Sequence, residues 1–331
     1  MPLLDGQGRQ HDYLRISVTD RCNLRCTYCM GEDGIDQLAH ENILNYEDII
    51  KVVSAGAELG ISKIRITGGE PLVRKGIVEL ISRIASVEGI TDLAMTTNGI
   101  LLPRYAAELK KAGLNRVNIS LDSLQEEKYH EITRCGELKM VTDGIEAALE
   151  QGLHPVKLNV VLMKGINDSE VPGFLELVRQ KPLHVRFIEY MPIGDHDSSY
   201  RDHYLPLSFI EESAARAGLD LTPIPLPGGA GPAESYTIPG GQGTVGLIHP
   251  ISKHFCDTCN RLRLTAEGNL KACLYWQEEQ PVGPVIDDKE ALKKLIQEVL
   301  NNKPVEHQMA CDGGCGPVKP GSMRSMSKTG G

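Results

Sequence analysis

No stretch of this chain approaches the roughly 18–20 uninterrupted apolar residues of a membrane-spanning helix. The first residues carry no basic region leading into an apolar core, so no secretory leader is expected and the cytoplasm is the expected address. Basic residues are in the minority: 35 Lys and Arg against 44 Asp and Glu leave a formal charge of -9. A general nucleic-acid surface needs an excess of clustered Lys and Arg, so neither nucleic acid nor membrane is an expected partner. A polyanionic ligand must then meet basic residues gathered locally. Low-complexity runs are missing too, and 331 residues, 41% of them hydrophobic, suffice for one large core with a smaller appendage.

Cysteine is present, but in incomplete sets. Six of the nine cysteines fall into two groups of three, and in a reducing compartment such groups read as metal ligands before disulfides. Cys22, Cys26 and Cys29 form C-x3-C-x2-C just past a short alternating strand. A structural zinc wants four ligands, and bacterial ferredoxin runs supply four cysteines at another spacing. Three thiolates on a cubane cluster leave one iron open to a substrate or cosubstrate; a zinc knuckle with a remote fourth ligand is the alternative. Cys256, Cys259 and Cys273 form C-x2-C-x13-C, and Cys311, Cys315 or His254 could complete a zinc ribbon there. Two incomplete triplets in one chain are more simply two clusters, each with an open iron.

Between residues 13 and 191 an extended segment recurs about every thirty to forty residues, followed by a helix-like stretch, the rhythm of parallel β/α units. Six strands are expected, at residues 13–19, 63–67, 93–97, 116–121, 156–162 and 184–189, with helices such as 46–59 and 104–112 between them. Six units can curl into an incomplete barrel, whose chemistry belongs at the C-terminal strand ends. The first cysteine loop, Gly68-Gly69-Glu70-Pro71, Asn98-Gly99, Asp122-Ser123 and Lys164-Gly165 all follow strands.

Alternate strand residues face opposite ways. Leu14, Ile16 and Val18 therefore oppose Arg15, Ser17 and Thr19; Ile64 and Ile66 oppose Lys63, Arg65 and Thr67; Val117, Ile119 and Leu121 oppose Asn118, Ser120 and Asp122. The apolar sets should pack on helices and the polar sets line the interior, where unpaired charge is expensive. An anionic ligand would offset that cost for Arg15, Lys63 and Arg65, with Lys157 joining them; ion pairing with barrel carboxylates is the alternative.

Beyond residue 191 the rhythm stops. The run 223–243, rich in Pro and Gly, reads as a connection to a second module with a hairpin at Glu267-Gly268-Asn269, a helix over 288–301 and a Gly-rich tail. The expected fold is α/β: an incomplete (β/α)6 barrel over 1–222, with a smaller C-terminal α+β cluster-binding module over 223–331. Arg261 and Arg263 share one face there, opposite Leu262 and Leu264, and a guanidinium pair suits phosphate.

The first cysteine loop, with Tyr28 before its last cysteine, resembles the signature of radical S-adenosylmethionine (SAM) enzymes. Taken with residues 14–23, 64–71, 96–99, 118–122, 164–168 and 186–191, the second triplet and Gly330-Gly331, the chain resembles the GTP 3′,8-cyclase family of molybdenum-cofactor biosynthesis. That resemblance implies the incomplete barrel of the radical SAM type and two 4Fe-4S clusters: one on Cys22, Cys26 and Cys29 that binds SAM, one on Cys256, Cys259 and Cys273 that takes the guanine edge of GTP. It implies SAM contacts at Tyr28, Gly69, Ser120 and Met191. GTP contacts are implied at Arg15, Lys63, Arg65, Thr96, Lys157, Arg261, Leu262 and Arg263, with Arg186 nearby given a bend in the sixth strand.

Catalytic roles are implied for Arg261, Arg263, Gly330 and Gly331. So is reductive cleavage of SAM to a 5′-deoxyadenosyl radical, which removes hydrogen from C3′ of GTP before ring closure on C8. The implied partners are a downstream synthase that forms cyclic pyranopterin monophosphate, a flavodoxin- or ferredoxin-type reductant, and a second copy in a homodimer. Gly31, where proline is common, and Ser327-Lys328-Thr329, where apolar residues are common, depart from the pattern. The Cys311 to Cys315 stretch has no counterpart in it and reads as a lineage-specific surface loop, with a redox pair or an extra metal site as alternatives, and Cys135 as an ordinary thiol. Two rival readings are another two-cluster radical SAM enzyme, acting on a peptide or haem precursor, and a non-catalytic zinc- or cluster-binding interaction protein.

Overall fold

Alternating apolar residues form strands wherever the six-unit rhythm places them: β1 (Tyr13–Ser17), β2 (Lys63–Thr67), β3 (Asp92–Thr97), β4 (Arg116–Ser120), β5 (Lys157–Leu162) and β6 (His184–Glu189). The structure is a computed structural model and describes residues 2–193, 200–225, 231–309, 324 and 326–329. The six strands pair in parallel and in chain order. Helices α1 (Tyr46–Glu58), α2 (Ile77–Ala85), α3 (Leu102–Lys111), α4 (Glu126–Thr133), α5 (Leu138–Glu150) and α6 (Val171–Gln180) run between them. The side chain of Asn45 accepts from the Asp48 N–H and starts α1, supplying a partner that the first helical turn lacks.

Strand parity decides what is buried against what. Leu14, Ile16, Ile64, Ile66, Val117 and Ile119 lie in one core with Ile49, Val52, Leu80, Leu109 and Val141 of the helices. Each such side chain contributes about 1.5–3 kcal/mol on burial. The opposite face of the same strands is left for polar residues.

The segment after residue 191 does more than append a module. Past α7 (Tyr200–His203) and α8 (Ser208–Arg216), strands β7 (Thr222–Ile224), β8 (Glu234–Thr237) and β9 (Thr244–Ile248) form an antiparallel meander, and β9 lies parallel to β6. β10 (Arg261–Leu264) pairs in parallel with β1 on the other side, followed by β11 (Asn269–Lys271), β12 (Gln280–Pro281) and α9 (Lys289–Asn301). A single sheet of order β12-β11-β10-β1-β2-β3-β4-β5-β6-β9-β8-β7 results. The 223–243 run is thus not only a connection, since it holds most of β7 and all of β8. Strands of three and four residues, with Pro223 inside one, are too short to show an alternation.

The hairpin at Gly268 forms as expected, its glycine at φ 86° closing the turn. Among the described residues, no helix is long and apolar enough to cross a membrane.

Parallel pairing of β10 with β1 sets Arg261 beside Tyr13, so Cys256 and Cys259, which precede β10, lie at the N-terminal end of the barrel strands. Antiparallel β11 then carries the chain back toward Cys273 at that same end. The first triplet follows β1 on the C-terminal face, as expected. The second does not. The two ends of β1 are four residue steps apart, roughly 13 Å.

Candidate active site

The first cysteine loop is held from two sides. Its Arg25 and Thr27 amides donate to the carbonyls of Thr133 and Ile132 at the end of α4. Arg134, a non-glycine residue at φ 64°, spans the loop with Nη1 donating to the carbonyls of Arg25 (2.8 Å) and Met30 (2.9 Å). On the other side the Gly69 and Glu70 amides donate to Thr19 and Arg21. A Cβ on Gly69 would stand 2.3 Å from the Arg21 carbonyl oxygen, so this crossing demands glycine.

Buried Glu70 accepts from the Asn98 and Leu72 amides and the Thr97 hydroxyl, and burial pushes it up to about 7. The Tyr28 hydroxyl donates to Asp122 at 2.7 Å, whose carboxyl burial raises to about 6. Burial lifts the Cys22 thiol to about 11, and burial with Cys29 beside it lifts that of Cys26 well up. Three thiols on one loop fit an iron–sulfur cluster with one open iron, whose bound iron would keep them as thiolates.

Between the two ends lies a cationic interior. Arg263, Arg15 and Arg65 stand side by side across β10, β1 and β2, three guanidinium groups in one lateral row. Like charges in register repel. Burial, then Arg263 and Arg65, pushes Arg15 well below its ordinary pKa; burial also lowers Arg65, takes Arg263 to about 10 and Arg186 to about 9, and brings Lys157 to about 7 with help from Arg186.

Among the described residues, carboxylates pair with two of the neighbouring cations. Lys63 pairs with Asp12 at 2.8 Å, and Arg116 pairs with Asp92. Arg186 instead donates to the amide oxygens of Asn118 (3.0 Å) and Asn159 (2.6 Å), which places it inside the barrel without a bend before its own position. Arg65 Nε, Arg186 Nε, Asn118 Nδ2 and Thr96 Oγ1 are buried without a partner among the described residues. Open donors on this cationic interior suit an oxyanion. A cavity of about 400 Å³ opens beside Lys63, Asp12, Cys259 and Arg261.

The second triplet sits in a different field. Burial would raise Cys259, but Lys303 and Arg261 bring it down to about 7. The Arg9 guanidinium donates to the carbonyls of Cys256, Pro304 and Val305, tying three segments together. His254, Cys256 and His307 hold ligand atoms within 4.8 Å of one another, with the two imidazoles stacked.

Ser120 ends β4, and Met191, just past β6, packs on an apolar cluster of Ile193, Ile251, Tyr275 and Met309. Met326, in the short α10 (Met326–Thr329), joins that same cluster, and Thr329 is fully buried. Gly330, Gly331, Cys311 and Cys315 lie outside the described residues. Cys135 is exposed, yet it points at the cysteine loop, 3.5 Å from the Asn23 carbonyl. Arg134, Arg9, Lys303 and Arg324 escaped the sequence reading: each acts through contacts distant in sequence, and no spacing marks them.

Comparison with known proteins follows the same division. The Radical SAM superfamily model matches residues 16–178, and the Molybdenum Cofactor Synthesis C model matches residues 183–309. Over 308 residues the chain is 51% identical to a GTP 3′,8-cyclase of Listeria monocytogenes, covering 93% of this chain and 92% of that one. It is 50% identical over 315 residues to the GTP 3′,8-cyclase of Heliobacterium modesticaldum (94% and 96% covered). To that of Alkaliphilus oremlandii it is 47% identical over 328 residues (99% of each). Among solved structures, Streptococcus suis SuiB bound to S-adenosylmethionine superposes with a TM-score of 0.61 at 14% identity. That match covers 89% of this chain and 66% of SuiB, just under two thirds of its length, and supports the fold alone.

Proposed function

The chain belongs to the GTP 3′,8-cyclase family, and from that premise we propose how its residues divide the work. It is a radical SAM enzyme that converts GTP to (8S)-3′,8-cyclo-7,8-dihydroguanosine 5′-triphosphate, the first step of molybdenum-cofactor biosynthesis. Its cofactors are two 4Fe-4S clusters and SAM. Cys22, Cys26 and Cys29 hold one cluster, and Cys256, Cys259 and Cys273 hold the other. When bound, the first cluster with SAM supplies the one-electron cleavage that starts radical chemistry on the GTP ribose.

The chain itself positions the reactants. The Gly68-Gly69 turn, Tyr28, Ser120 and Met191 receive SAM at the C-terminal strand ends, and Asp122 fixes the Tyr28 ring through its hydroxyl. Arg15, Lys63, Arg65, Thr96, Lys157 and the Arg261-Leu262-Arg263 strand receive GTP, the cations taking the triphosphate and the base reaching the second triplet. Arg186 adds a further cation from β6, across the interior from Arg65. Held at both ends, the nucleotide presents its ribose to the first triplet in one orientation, which removes most of the entropic barrier to a selective hydrogen abstraction. Arg261, Arg263, Gly330 and Gly331 complete the catalytic set.

The single observation that carries this reading is the lateral row Arg263, Arg15 and Arg65 lying between the two ends that bear the cysteines. Three adjacent guanidinium groups in register suit a polyanion such as a triphosphate better than an uncharged peptide. The functional division stays at 1–222 and 223–331, although one sheet runs through both. A flavodoxin- or ferredoxin-type reductant supplies the electron, a synthase forming cyclic pyranopterin monophosphate takes the product, and the working unit is a homodimer in the cytoplasm.

The test is anaerobic turnover of the reconstituted protein with SAM, dithionite and GTP deuterated at C3′. Deuterium in 5′-deoxyadenosine together with a cyclised GTP is expected. Deoxyadenosine without deuterium, and GTP left intact, would sink the assignment of the interior to GTP.

A further inference from the structure

Lys303 follows the end of α9, and only 4% of it is exposed. Burying an ammonium is costly unless its donors are matched. Its Nζ donates to the Arg261 carbonyl at 2.8 Å, to the Cys259 carbonyl at 3.5 Å and to Cys259 Sγ at 3.3 Å. Among the described residues it forms no ion pair with a carboxylate, so the thiolate is the negative group that it meets.

The surrounding chain enforces this contact. Arg9 fixes the next two residues through the carbonyls of Pro304 (2.8 Å) and Val305 (2.8 Å), and its own Nε pairs with Asp5 at 2.6 Å. The Arg261 amide hydrogen-bonds Cys259, and that of His307 hydrogen-bonds Cys256. Cys259 therefore receives a backbone donor and a cation. The first triplet is treated otherwise: Cys22 accepts from the Leu24 amide at 3.3 Å and from Asn98 Nδ2 at 4.0 Å, and the Arg25 charge near it is set against the carboxyls of Glu70 and Asp122, with no ammonium hydrogen-bonded to its sulfur among the described residues.

Hydrogen bonds to sulfur and net local charge set the potential of an iron–sulfur cluster. We propose that Lys303 is a positioning residue of the second cluster, whose charge-assisted hydrogen bond to Cys259 holds that cluster at a higher reduction potential than a neutral side chain would. The proposal rests on the reading that Cys256, Cys259 and Cys273 carry a cluster. It makes the two clusters electrostatically unequal: the second is kept easier to reduce through one lysine.

The measurement is an EPR-monitored redox titration of the full-length, anaerobically reconstituted protein. The first cluster is recognised by the response of its signal to SAM, the second by its response to GTP. In Lys303→Met the second signal is expected to move to a lower potential while the first stays in place, and Lys303→Arg is expected to restore most of the shift. Lys303→Gln keeps a donor for the Arg261 carbonyl and removes the charge, so the same shift is read on it where the methionine variant does not fold. A neutral variant with both clusters intact and an unmoved second potential overturns the proposal, as does an equal shift of both signals. Iron content of Cys259→Ala tests the underlying assignment separately: if that variant keeps all its iron, the cluster reading fails whatever Lys303 does.

Discussion

Lys157 shows what crowding cations inside a barrel does to a single residue. Burial, then Arg186, Arg116 and Arg65, lowers it from 10.5 to about 7. The unfolded chain keeps this lysine protonated up to its ordinary pKa, while the folded chain releases the proton near 7. Between those values the unfolded state binds more protons, so this group makes folding more favourable as pH rises through the window. A bound triphosphate reverses the local field and recharges the amine. GTP binding at pH 8 is therefore expected to take up a proton, visible as a buffer-dependent heat in calorimetry, and uptake in Lys157→Met should be smaller by about one proton. At pH 7 the same variant is expected to lose about 2 kcal/mol of GTP affinity, roughly thirtyfold. Identical proton uptake in the two proteins would place Lys157 away from the phosphates.

At the scale of elements, the hairpin of β10 and β11 serves as a dock for the end of the chain. Arg324 donates to Glu267 Oε2 at 2.6 Å and pairs with Glu279 Oε1 at 2.7 Å, which brings α10 against the apolar cluster of Ile193, Ile251, Tyr275 and Met309. If Gly330 and Gly331 act at the site, Arg324 acts through them. Arg324→Ala should cost about 1–2 kcal/mol of docking, lowering turnover roughly five- to thirtyfold, with the visible and EPR spectra of both clusters retained. Deleting Gly330 and Gly331 should lower turnover in the same way, and adding Arg324→Ala to the deletion should change little, because both act on one step. Fully additive losses would separate the two.

The elements that build the barrel were readable because each carries its own signal. β1 to β6 alternate, the Pro103 and Gly113 punctuation brackets α3, and Asp288 caps α9. The inward cations Arg15, Lys63, Arg65 and Lys157 followed from parity alone. What parity could not give was which strands become neighbours across long separations, so the parallel seat of β10 on β1, and with it the position of the second triplet at the opposite end, was hidden. Arg134 was hidden for a similar reason: its left-handed backbone and its hold on the loop are set by α4 packing against residues a hundred positions earlier.

For the whole molecule, the consequence of one continuous sheet is that the barrel is not finished by its own six strands. β1 presents one open edge and β6 the other, and both are covered by strands from beyond residue 222. An exposed parallel edge carries a row of unsatisfied amides and carbonyls and invites pairing with other chains. The apolar core crosses the same boundary, since Leu262, Leu264 and Leu270 share it with Leu14 and Ile16, and Val245 and Leu247 share it with Val185. Cutting the chain at residue 222 strips these contacts from both flanks at once. Residues 1–222 expressed alone are thus expected to aggregate even with the first triplet intact, as read by size-exclusion chromatography and light scattering. A soluble, monomeric 1–222 fragment that still assembles its cluster would show that the barrel folds first and that the flanking strands serve the substrate rather than the fold.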